Sequence, residues 1–368
     1  MTLRSRTSFL ITGLLVTLAA GCGGSRPQRP AVGATRPERP PPQVNLPRPP
    51  TPRGVVGVET AEYPTTIVYA AGSIWVFPHH DIVADRLDPR TNRVVAEINI
   101  GDTPCTTSAA GAGRVWTSNC GPGENSLGRT FGIDPVRQRV VLRVLGTFPA
   151  YGAGSLWVLD DSGKWVRRVD PQSGVVLVRI PTGSDQQPGG GALTIGGVGY
   201  DSVWLGSDVD RTVIRISTIT DRVTAVIPLP GAMTQDQAFH GAADVGYIDG
   251  TQIAFADGKA WYGNPAGLFE IDSRSDRARL IRLPMRPFSL WGDIPVVSGA
   301  GSIWVRTSDQ TIDRVDPVSG RVQGTYPADS AGGGGGILVV GHSLWVENAG
   351  EDDVWRERIR PIHTDPSP

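Results

Sequence analysis

The sequence predicts an all-β fold: a seven-bladed β-propeller of four-stranded antiparallel blades, closed by an N-terminal strand. Three observations carry this. Seven tryptophans recur in one frame, Trp75, Trp116, Trp157, Trp204, Trp261, Trp304 and Trp345, at intervals of 41, 41, 47, 57, 43 and 41 residues. The words around them recur too, as in Gly72-Ser73-Ile74-Trp75-Val76, Gly154-Ser155-Leu156-Trp157-Val158 and Gly301-Ser302-Ile303-Trp304-Val305. A period of about 40–45 residues with strand-like content marks one four-stranded blade per repeat. The third observation concerns the ends. Gly54-Val55-Val56-Gly57-Val58 reads as a spare fourth strand ahead of the first repeat, and the seventh repeat stops near Ile359-Arg360-Pro361 without one. Pairing the two closes the ring and hides two sheet edges.

Residues 1–22 read as a targeting segment. Arg4 and Arg6 precede a short apolar stretch, Phe9 to Leu18, below the length of a membrane span. Leu18-Ala19-Ala20-Gly21-Cys22 resembles a bacterial lipoprotein cleavage box, with Cys22 as the lipidated residue; the competing reading is an ordinary signal peptide with a chance cysteine. The lipoprotein reading implies an extracytoplasmic chain anchored to the cell membrane through Cys22. Residues 23–53 form a linker rich in proline and arginine, extended by its prolines at ~3.1 Å per residue. Its charge suits a solvated spacer, or contact with anionic lipid or wall polymer.

Residues 54–361 are the propeller, and 362–368 a polar tail. In the first repeat, Thr65–Ala70, Ser73–Phe77, Ile82–Leu87 and Val94–Ile98 read as four strands. The run Ile74-Trp75-Val76-Phe77 ignores alternation, which suits a strand buried on both faces. The turn Asp88-Pro89-Arg90-Thr91-Asn92 recurs, opened by Asp-Pro at Asp134, Asp170 and Asp316. Asp and Pro favour its first positions, and its closing residue needs positive φ. Asn92, Gly174, Asp221, Asp276 and Gly320 stand there, with Gln138 as the exception. Arginines recur beside the turns, at Arg86, Arg168, Arg215, Arg314 and Arg358. Repetition in every blade points to a structural role.

These repeats resemble the YVTN-type propeller repeats of bacterial surface and periplasmic proteins, and those of the streptogramin B (virginiamycin B) lyase family. The resemblance covers residues 55–361 and rests on turn and core residues. It implies the fold. The lyase family uses a divalent metal and an acid/base histidine on one propeller face, but its motif does not align onto His79, His80 or His240.

Net charge is −1, which advertises no nucleic-acid partner. Besides Cys22, two cysteines bracket one hairpin. With Ala112-Gly113 at its tip, Cys105 falls opposite Cys120, within disulfide range in an exported protein; two free thiols are the alternative. Nucleotide-binding glycine patterns, H-E-x-x-H and G-x-S-x-G are absent. Gly332–Gly336 reads as an inter-blade connection.

Candidate chemistry therefore lies in the loops of one face, those joining strands two and three and those entering the next blade. His79, His80 and Asp81 stand together in blade one. The longest inter-repeat segment holds Asp236 and His240, the latter a candidate catalytic residue. Asp185 precedes blade four. Trp291, outside the tryptophan frame, and Asp293 precede blade six. An extra tryptophan offers a ligand platform or simply packs. The expected function is binding of an envelope protein or small ligand on this face. No cofactor is required by the sequence. The alternatives are a metal-dependent lyase like the streptogramin B lyases, and a quinoprotein-type dehydrogenase, whose eight-blade tryptophan pattern these seven words do not match.

Overall fold

The computed structural model describes residues 54–61, 63–79, 81–119, 127–184, 193–207, 209–234, 252–286, 294–328, 334–348 and 353–358, all within one compact unit, Pro47–Pro368. They form seven four-stranded antiparallel sheets, as expected. Blade one is β2 (Pro64–Ala70), β3 (Ser73–Pro78), β4 (Val83–Asp88) and β5 (Arg93–Asn99), paired in that order. Blades two to six repeat the meander as β6–β9 (104–145), β10–β13 (147–181), β14–β17 (194–228), β18–β21 (253–281) and β22–β25 (296–327). Blade seven is β26 (Ile337–Val340), β27 (Ser343–Asn348) and β28 (Asp353–Arg358), completed by β1 (Val55–Glu59). Register runs from Val55↔Glu357 to Glu59↔Asp353, and Val58 is buried there. The spare strand does close the ring.

Five of the seven second strands are buried throughout, as in β3, and the other two in all but their first residues, Arg114 and Lys259. All seven frame tryptophans are fully buried. They pack toward the next blade; Trp345, for example, sits with Ile74, Val76 and Leu87 of blade one. A buried indole N–H needs an acceptor. In six blades it finds the carbonyl five residues upstream, at the end of the first strand, as Trp75 does with Ala70 at 3.1 Å. The Trp345 indole N–H has no partner among the described residues.

A cation lies over every one of these tryptophans, 5.2–5.7 Å from the ring centroid. In five blades it is an arginine on the third strand whose Nε donates to the serine that opens the tryptophan word. The pairs are Arg86–Ser73, Arg168–Ser155, Arg215–Ser202, Arg314–Ser302 and Arg356–Ser343. The fifth corrects the sequence reading. Arg356, directly opposite Trp345, takes the place expected of Arg358, because β27 and β28 pair with Trp345↔Arg356. Blades two and five exchange the two roles. Arg114 and Lys259 occupy the serine position, and Gly132 and Glu270 stand opposite the tryptophans. A Cβ on Gly132 would come within 2.6 Å of the Trp116 ring, so the cation can approach only from the other strand.

The outer turns follow their expected chemistry. Asp134 Oδ1 accepts from the N–H groups of Val136 and Arg137, and Ser217 Oγ does the same for Ile219 and Thr220. The Arg137 N–H, then its guanidinium, hold the Asp134 carboxyl down to about 2. All six closing residues have positive φ, between 52° and 76°, Gln138 included. The β6–β7 register that would oppose Cys105 and Cys120 runs from Gly111↔Arg114 to Ser108↔Thr117, then shifts before Pro104↔Asn119. Residue 120 and the Cys105 side chain lie outside the described residues.

Candidate functional site

The first strands of all seven blades converge on the ring axis. They enclose a cavity of about 330 Å³ whose wall includes Ile67, Thr107, Ala150, Ile195, Gln252 and Val296. No described residue of that wall carries a charge. The hydroxyl oxygens of Thr107 and Ser108 in blade two, and the side-chain carbonyl of Gln252 in blade five, have no hydrogen-bond partner among the described residues. Those oxygens are buried within the wall, and the cavity is an uncharged surface contributed by all seven blades, suited to an uncharged guest.

Of the loop-face candidates, His79 and Asp81 are described. Both lie in the loop joining β3 to β4. The His79 N–H donates to the Tyr63 carbonyl at 2.8 Å, and its ring meets Tyr63 edge-on with centroids 6.3 Å apart. Asp81 Oδ1 accepts from the Ile82 N–H at 2.6 Å. Neither belongs to the cavity wall. His80, Asp185, Asp236, His240, Trp291 and Asp293 lie outside the described residues, as does Cys22. Among the described residues, no three His, Cys, Asp or Glu are grouped to hold a metal ion.

Several carboxyls are buried, and two of them, at Asp85 and Glu347, are pushed well above their ordinary values. Asp85, on β4, is almost fully buried, and its Oδ2 accepts from the Ala61 N–H at 2.6 Å. Burial pushes its carboxyl up to about 6, and the negative charges of Glu97 and Asp81 add to that. It pins the segment between the closing strand and blade one.

The other belongs to Glu347, which is fully buried on β27 beside Arg306 of β23 (Ser302–Ser308). The Arg306 guanidinium donates to four carbonyls: Ser308 and Asp309 in its own blade, and Gly335 and Glu347 in blade seven, at 2.7–3.4 Å. Glu347 Oε2 accepts from the Gly336 N–H at 2.8 Å, while its Oε1 has no partner among the described residues. Burial pushes the carboxyl up to about 8, against the opposing pull of Arg306. The glycine run gains a reason here. A Cβ on Gly335 or Gly336 would meet Glu347 atoms at 2.8 or 2.7 Å. A signal for this pair did exist in the sequence. Two places after the frame tryptophans stand Phe77, Ser118, Leu159, Gly206 and Gly263, then Arg306 and Glu347. Opposite charges occupy one core position in consecutive repeats.

No protein-family model and no curated protein sequence matches the chain. Among solved structures it is similar to BamB from Moraxella catarrhalis (TM-score 0.52, 12% identity, over 83% of this chain and 85% of that one). It is also similar to the computationally designed Ika8 protein (0.53, 10%, 82% and 99%) and to Kuenenia stuttgartiensis hydrazine synthase (0.57, 12%, 83% and 97%). At such identities the likeness is one of fold, and propellers host unrelated activities: the chain is a seven-bladed β-propeller.

Proposed function

We propose that this chain is a lipid-anchored extracytoplasmic propeller that binds a protein or small ligand on its loop face, around the axial opening. The observation that supports binding there is the uncharged cavity walled by all seven blades. A rigid ring brings loops that are distant in sequence around one opening, as recognition surfaces require. The Cys22 anchor rests on the cleavage box. Cys22→Ala should release the chain from the membrane fraction or block its processing; unchanged membrane retention and N-terminal mass would remove the anchor from the proposal.

The site is tested with alanine variants on both faces against a partner captured from cell envelopes. Trp291→Ala, Asp236→Ala and Asp293→Ala should each cost about 1–2 kcal/mol of affinity. Loss of binding only with changes on the opposite, short-turn face, which carries the turns between strands one and two and between strands three and four, such as Gln172→Ala, would overturn the assignment.

One observation favours the lyase alternative. Asp85, its carboxyl raised by burial to about 6, also feels the charge of Asp81, which shares a loop with His79. Such groups suit proton transfer. That reading requires metal-dependent turnover that collapses in His240→Ala, whereas a pure binding surface shows no turnover.

A further inference from the structure

A propeller exposes seven sheet edges, one per blade, and they are not equivalent here. The outer strand of blade five, β21 (Ala278–Ile281), is short and sits in a basic stretch, Arg274-Ser275-Asp276-Arg277-Ala278-Arg279-Leu280-Ile281-Arg282-Leu283-Pro284-Met285-Arg286. All five arginines are exposed. Arg279 is held by Glu270 at 2.6 Å. Arg274, Arg277, Arg282 and Arg286 have no ion-pair partner among the described residues. The single carboxylate within the stretch, Asp276, is already engaged by Arg215 of blade four at 2.8 Å. Blade two has the next most basic edge, with Arg137 tied to Asp134 and Arg139 and Arg143 beyond it. Only in blade five do further cations follow the outer strand. The residues after the other described outer strands are neutral or acidic, as in Ile100-Gly101-Asp102 and Thr182-Gly183-Ser184-Asp185. In a chain whose net charge is −1, this local excess of cations stands out.

Two properties coincide on this edge. The outer strand offers unpaired N–H and C=O groups along one side, the template for adding a strand. Through 277–280 exposed arginines alternate with the half-buried Ala278 and Leu280, which pack into the core shared with blade four. A strand added alongside lies ~4.8 Å away, and its alternate side chains fall level with those of β21. Carboxylates at alternate positions of that strand would meet Arg277 and Arg279 on one face, with Arg274 and Arg282 extending the charge beyond its ends; Arg286 has already crossed to blade six, where its N–H donates to the Thr307 carbonyl at 2.9 Å.

We propose that the outer edge of blade five docks an extended acidic peptide segment by strand addition. The surface is separate from the axial cavity and does not depend on the loop-face assignment. The test uses the full chain and a labelled nonapeptide of alternating glutamate and valine. It should bind with an affinity that falls steeply with salt, and the triple variant Arg274→Gln/Arg277→Gln/Arg282→Gln should weaken it about tenfold or more at unchanged melting temperature. The control Arg139→Gln/Arg143→Gln on blade two should leave binding unchanged. Equal binding of a version with the same charge but every backbone N–H methylated would overturn strand addition, because such a peptide has no ladder donors in either alternation. Binding to phosphatidylglycerol vesicles with no binding to the peptide would overturn it in favour of a lipid surface. An unaffected triple variant would overturn the location.

Discussion

Six of the seven blade junctions are alike, and the junction between blades six and seven is different. On the short-turn face, the cation over each tryptophan reaches on to the outer turn of the next blade. Arg86 donates to the Pro135 carbonyl, Arg114 to Pro171, Arg168 to Thr218 and Asp221, Arg215 to Ser273 and Asp276, Lys259 to Pro317, and Arg356 to Asn92 across the closure. Arg314 of blade six faces a blade whose third and fourth strands come from opposite ends of the chain, so no outer turn exists there. At this junction a buried charge appears on the other face, with Arg306 crossing from blade six to the Gly335 and Glu347 carbonyls of blade seven. A repeated clasp serves where the repeat is complete. Where the chain ends interrupt the repeat, the junction carries a buried polar contact of its own.

Breaking the closure itself should have the largest effect. Truncation through Thr60 removes β1, uncovers the edge of β28 and loses the burial of Val58. We expect a loss of about 5 kcal/mol or more and association through the open edge. Denaturant melts and light scattering check this, and an unchanged, monomeric domain would contradict it.

Next comes Arg306→Met. The four carbonyls it serves would lose their donor in a dry site, at about 3–4 kcal/mol. Arg86→Met, at an ordinary junction, provides the comparison and should cost far less.

Glu347 makes the special junction sensitive to pH. Its carboxyl titrates at about 8 in the fold against an ordinary 4.5. Between those values the native chain holds a proton that the unfolded chain has released. This contribution is therefore full below about pH 4.5 and is lost as pH rises through 8. Glu347→Gln should flatten that slope and raise stability at pH 8 by about 2–3 kcal/mol relative to the parent. Asp85, raised from 3.8 to about 6, adds a smaller change of the same sign in the lower window, and Asp85→Asn should remove it. A stability that instead rises with pH across both windows would refute the assignment.

The smallest effect belongs to a single clasp. Arg168 and Asp221 are about three-quarters buried and 3.0 Å apart. Arg168→Met should cost about 1 kcal/mol, and its sum with Arg215→Met should be nearly additive, since the two clasps share no partner.

The tryptophan word, the Asp-Pro turns and the positive-φ positions were legible because each is set within a few residues. The turn aspartate caps its own N–H groups, and the closing residue adopts its φ locally. The arginine role is legible as repetition, yet repetition does not separate Arg356 from Arg358, because only strand register decides which residue faces Trp345. The swaps at Arg114 and Lys259 are hidden for the same reason: only cross-strand register sets Gly132 and Glu270 opposite Trp116 and Trp261. Of the loop-face candidates, His79 and Asp81 share the loop between β3 and β4, but nothing local indicates that Asp85, further along on β4, is buried.

The sequence by itself determined the number of blades, their four-strand content and the closing strand, because period, turn chemistry and a missing strand are properties of the chain read in order. Tertiary structure alone decided which charges are buried and what they touch. Arg306 meets blade seven, and Glu347 the glycine run, through contacts between separate repeats. Burial of a charge depends on the neighbours that exclude water from it, and those neighbours are assembled only when the ring closes.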